Sequence, residues 1–101
     1  MNSEYQSVYK QADALRRKFR ELVDAPNDSE ARALYKSLDD LAENFEMQKS
    51  ARTLEQMAKR AAEEFKHANS HPTEIMDPRH LNECREKLEE IAHEVRKFEN
   101  Y

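Results

Sequence analysis

The chain has 101 residues, with 38% charged and 38% hydrophobic side chains, a net charge of -4 and no glycine. This length allows one domain at most, and the mild acidity argues against a sequence-independent DNA binder, which is usually basic. Without glycine there is no P-loop, dinucleotide fingerprint or nucleophile elbow, because each needs a backbone that turns sharply or approaches a phosphate closely.

Other exclusions follow from composition. One cysteine, Cys84, rules out an internal disulfide framework and suits a reducing compartment. The opening residues MNSEYQSVYK lack the apolar core of a signal peptide. No apolar run approaches the ~18 residues of a membrane span. The expected location is the cytoplasm, with no membrane partner and no cofactor.

The first predicted helix covers residues 3–24. Ser3 and Gln6 have capping-box spacing. Val8, Ala12, Leu15, Phe19 and Leu22 follow at intervals of four and three, which places them on one face. Arg16, Arg17, Lys18 and Arg20 lie in the second half, where they complement the helix dipole. Ala25-Pro26 ends the element, since the residue before proline avoids the α region.

The second and third predicted helices cover 28–49 and 51–69. Asn27 and Glu30 offer a capping box for the second, whose seam is Leu34, Leu38, Leu41 and Phe45. The third carries Leu54, Ala58, Ala61 and Phe65. At 100° per residue the two seams centre roughly 155° apart, so an unbroken helix of about 60 Å would face them in nearly opposite directions. A break near 48–53, with Thr53 and Gln56 as a capping box, resolves this. No proline or glycine forces it, and one continuous helix from 28 to 69 is the competing expectation.

The fourth predicted helix covers 78–100. Asp77-Pro78 supplies an N-cap acid and a proline at the first helical position. Leu81, Cys84, Leu88, Ile91, Val95 and Phe98 keep three–four spacing. The loop before it, 70–76, contains the apolar pair Ile75 and Met76 together with Pro72. The whole is predicted to be all-α, an antiparallel helical bundle of four helices, or of three if 28–69 is one rod. Many of its hydrophobic residues are alanines, so the seams are thin, and a protein partner or a second copy (a homodimer) is expected to add burial.

Few motifs carry chemistry. Glu64-x-x-His67 and Glu90-x-x-His93 match half of a di-iron bundle site, but such sites need inward-facing ligands at one level, and both histidines project away from their seams. His67-x3-His71 and His80-x3-Cys84 have zinc-ligand types, yet Cys84 sits on an apolar seam, where a free thiol behaves as a small hydrophobe. Cys84 and His80 are also the one nucleophile–base pair, with no oxyanion hole nearby. The run Arg16, Arg17, Lys18, Arg20, joined by Lys59 and Arg60, is the candidate phosphate-binding patch.

The remaining signal is apolar material off the seams. Tyr9, Tyr35 and Met57 lie off-axis, and Pro72, Ile75 and Met76 occupy the joint. Tyrosine is enriched at interfaces, although a bundle with wide stripes also absorbs such residues into its core. The expected function is therefore a non-enzymatic protein–protein interaction module, a small adaptor, regulator or inhibitor docking on a larger protein. A nucleic-acid-associated protein using 16–20 and a metal-binding helical protein are the alternatives.

Overall fold

The computed structural model describes residues 3–23, 29–70 and 77–97. Pro26, Asn27, His71, Pro72, Ile75, Met76 and Phe98 lie outside the described residues, as does the side chain of Ser3. Four helices are present among the described residues: α1 (Ser3–Leu22), α2 (Ser29–Glu46), α3 (Ala51–Ser70) and α4 (Pro78–Arg96). No strand occurs among the described residues.

Each apolar seam folds inward. Val8, Ala12, Leu15 and Phe19 from α1 meet Leu34, Leu38, Leu41 and Phe45 from α2 in one core with Leu54, Ala58, Ala61 and Phe65 from α3 and Leu81, Cys84, Leu88, Ile91 and Val95 from α4. Ala31, Ala42, Ala62, Ala68 and Ala92 widen the stripes. No polar or charged residue is buried among the described residues. The thin seams cover one another inside one chain, and the large hydrophobics left exposed among the described residues are Leu22 and Met47.

The helices pack in a ring, α1 on α2, α2 on α3, α3 on α4 and α4 back on α1. Neighbours run antiparallel. Tyr9 near the start of α1 reaches Glu46 at the end of α2 at 3.2 Å, and Arg96 at the end of α4 reaches Glu55 near the start of α3 at 3.3 Å. The closest pair by far is α3 with α4. Alanines at 58, 61, 62, 68 and 92 explain this, because interaxial distance is set by the side chains at the contact. The result is a rod with extents of 43 × 20 × 17 Å.

The seam of α1 differs from expectation at its end. Leu22 is 41% exposed, and Val23, at 2%, takes the inward place. Three and four residues after Phe19 are both seam positions on a helix. The four-residue step wins here, with the Val23 N–H donating to the Phe19 carbonyl at 3.0 Å and the Val23 carbonyl accepting from the Tyr35 hydroxyl. The helix thus stops at 22, short of the predicted 24.

The reversal between α2 and α3 settles the question of one rod or two. The Lys49 N–H donates to the Asn44 carbonyl at 3.2 Å and the Gln48 N–H to the Phe45 carbonyl at 3.0 Å, which is a Schellman motif. Gln48 takes the left-handed place with φ 56, a position normally held by glycine. The helix therefore ends at Glu46, where 49 was expected. The following cap is Ser50, and the expected Thr53–Gln56 box does not form it. Ser50 Oγ accepts from the Thr53 N–H at 3.2 Å, and the Ser50 carbonyl takes the first helical bond, from Leu54, at 3.0 Å. Serine at 50 allows a turn three residues shorter than a cap at 53 would, and Leu54 then enters the core at once.

The start of α4 is as expected. Asp77 Oδ1 accepts from the Arg79 N–H at 2.8 Å, with Pro78 in the first turn. That backbone hydrogen bond, then the Arg79 side chain, holds the Asp77 carboxyl below its ordinary value. The described part of α4 ends at Arg96, followed by Lys97 in a tighter turn, so the predicted run to 100 extends past it.

A left-handed non-glycine residue costs roughly 1–2 kcal/mol in strain, partly offset by the chain entropy glycine would add. Gln48→Gly is therefore expected to stabilise the protein by about 0.5–1 kcal/mol. Ser50→Ala is expected to cost about 1 kcal/mol. Both are read by thermal or urea unfolding followed by circular dichroism.

Candidate functional site

Cys84 and His80 form the nucleophile–base pair of the sequence. The thiol is 4% exposed in the α1–α4 interface, and burial pushes it up to about 11, against the opposing pull of Lys18. At neutral pH it is a protonated thiol, and the nucleophile is the thiolate. His80 stands half-buried one turn away, its Nδ1 3.6 Å from the Glu83 carboxylate, beyond hydrogen-bond reach.

The two Glu-x-x-His motifs do not assemble among the described residues, and His71 of the zinc-type set lies outside them. Glu64 accepts a hydrogen bond from Ser37, while His67 and His93 are exposed and Glu90 pairs with Lys87 at 3.2 Å. No group of three or more His, Cys, Asp or Glu side chains could hold a metal ion among the described residues.

The basic run on α1 is divided by its own helix. Arg16 and Arg17 both pair with Asp13, the latter at 3.1 Å. Arg20 pairs with Asp39 of α2 and lies over the Tyr35 ring, 5.0 Å from its centroid. Lys18 points to the other side, into the groove between α1 and α4. Lys59 pairs with Glu55 at 3.0 Å, and Arg60 lies between α2 and α3. Each pair is worth little in stability, but Arg16 and Arg20 converge on Asp39 while Lys18 turns away from them, so acidic partners and the divided faces reduce the positive charge that a phosphate backbone would need in one place.

The off-axis aromatics pack inward from the helix flanks. Tyr9 and Tyr35 are half-buried against the core, and so is Met57. The Tyr9 ring lies 6.3 Å from that of Phe45. Burial, then the hydrogen bond to Glu46, raises its phenol above the ordinary value. Tyr35 meets Phe19 edge-on at 5.0 Å and its hydroxyl donates to the Val23 carbonyl. These contacts join α1 to α2.

Grooves remain between the less closely packed helices, among them one between α1 and α4 and one between α2 and α3. The α1–α4 groove, about 220 Å³, is lined by Leu15, Lys18, Leu22, His80 and Cys84 among others. The α2–α3 groove is larger, about 790 Å³. Its floor is Ala33, Leu34, Met57 and Ala61, and its walls carry charged side chains. Of the expected partner residues that are described, Tyr9, Tyr35 and Met57, it is Met57 that lines this groove. Sequence reasoning passed over Ala33 and Ser37 because they sit on the flank of a seam, where a periodic pattern reads as solvent face, and it assigned Arg60 to the phosphate-binding patch and not to this groove. The available signal was a pair of alanines, Ala33 beside the α2 seam and Ala61 within the α3 seam, which leaves the space between α2 and α3 partly unfilled.

No family model matches the chain, and neither a curated protein nor a solved structure matches it significantly. No described helix is long and apolar enough to cross a membrane.

Two outcomes are expected. Alkylation of Cys84 in native protein is slow near pH 8 and becomes fast when urea unfolds the chain. Because the folded thiol is raised from 9.0 to about 11, its contribution to stability is full below pH 9 and is lost as pH rises to about 11. A Cys84→Ala variant should lose less stability across that window in urea titrations. Tyr35→Glu should lower the melting temperature, because it removes both the Val23 hydrogen bond and the edge contact with Phe19.

Proposed function

We propose that this chain is a non-enzymatic protein–protein interaction module, a small adaptor, regulator or inhibitor acting in the cytoplasm, and that it docks on a larger protein through the α2–α3 groove. The observation that supports this reading is the groove itself: an open channel with an apolar floor and charged walls. Such a surface offers area to a partner, with polar rims that set orientation. The scattering of Arg16, Arg17, Lys18 and Arg20 among acidic partners and separate grooves weighs against the nucleic-acid alternative. The protonated, buried Cys84 weighs against thiol catalysis.

Docking draws on apolar burial at about 25 cal/mol per Å², less the cost of association and side-chain ordering. The test is the native mass of the tagged protein and of the material it retains from a lysate of its source cells, with and without nuclease. Ala33→Gln/Met57→Gln makes the floor polar without changing charge. The expected result is a protein partner retained after nuclease treatment and reduced at least tenfold by the double variant, with helicity intact. Retention abolished by nuclease, or unchanged in the double variant, would refute docking through this groove.

A further inference from the structure

Resting on that reading of the groove, we propose that its occupant is a cationic amphipathic helix of a partner protein, lying along α2 and α3 for about three turns. The walls carry four carboxylates, Glu30, Asp40, Glu63 and Glu64, against two cations, Lys36 and Arg60. Glu30, Asp40 and Glu63 make no ion pair among the described residues, and neither do Lys36 and Arg60, so four carboxylates face two cations on these walls without being paired by them. Negative charge is therefore left uncompensated along this channel. A partner with lysine or arginine on its flanks is drawn to it and oriented by it.

The shape calls for a rod. Glu30 to Asp40 spans about 15 Å of helix, and α3 runs antiparallel beside it as the second wall. An amphipathic helix in such a channel lays side chains spaced three and four apart on the floor, here Leu34, Met57 and Ala61. The helix would have to be another protein's. Leu22 and Met47 are the large hydrophobics exposed among the described residues, and they stand on separate elements. No described helix of a second copy offers an exposed apolar stripe to fill the channel. A polynucleotide is repelled by the same carboxylates that attract the cationic flanks.

The test uses the full chain and two labelled synthetic helices of about four turns. Both carry leucine on one face, flanked by lysine in one and by glutamate in the other. Fluorescence anisotropy is expected to show the lysine-flanked helix bound at least about tenfold more tightly, with affinity falling as salt rises. Glu30→Lys/Glu63→Lys should invert the preference. Glu21→Lys/Glu43→Lys, which changes net charge equally at positions outside the groove lining, should preserve it. Equal binding of the two helices, or equal loss in both charge variants, overturns the proposal. So does a dimer of the chain that Ala33→Gln/Met57→Gln dissociates, since that makes a second copy the occupant. If that floor variant loses the cellular partner while the lysine-flanked helix fails to bind, docking through the groove stands and the cationic helix falls.

Discussion

Consecutive seams that face nearly opposite ways dominate this structure. Had α2 run on into α3, Leu38 and Ala58 would point to opposite sides of one rod, and no single core could receive both. Reversing the chain after Phe45 turns the two stripes toward each other. The reversal is built without glycine, with Gln48 accepting the left-handed conformation and Ser50 capping the next helix. The strain at one residue is small beside what Phe45 and Leu54 gain by being fully buried on either side of the turn.

That reversal also places the aromatic residues that tie the bundle across its diagonal. Phe19 of α1 meets Phe65 of α3 edge-on, with ring centroids 5.1 Å apart, and receives Tyr35 of α2 on another side. Three helices thus converge on one ring. The alanines of α3 then let α4 approach closely, which leaves the other three interfaces, α2–α3 and α1–α4 among them, looser. The α2–α3 and α1–α4 grooves lie there because side-chain volume is distributed unevenly around the ring.

Much of this was readable from residue spacing. Three–four repeats from Val8 to Phe19 and from Leu81 to Val95 were enough to name the inward face, because a helix has one period and water has one preference. Asp77-Pro78 announced its helix for an equally local reason. Leu22 and Val23 could not be separated that way, since both positions satisfy the repeat, and the choice depended on the Tyr35 hydroxyl from another helix. The clustered look of Arg16, Arg17, Lys18 and Arg20 was likewise a property of the line of letters. On a helix, Lys18 faces one neighbour and Arg20 another, and Asp39, nineteen positions beyond Arg20, could be matched to it only in space.

The amino-acid order alone determined the helical class, the inward faces and the absence of glycine-built chemistry, all of which follow from interactions within a few turns of one helix. Tertiary packing decided where the chain reverses, which tyrosines brace the core, and where a channel stays open between α2 and α3. These depend on how closely two helices approach, and that distance is set jointly by side chains far apart in the chain.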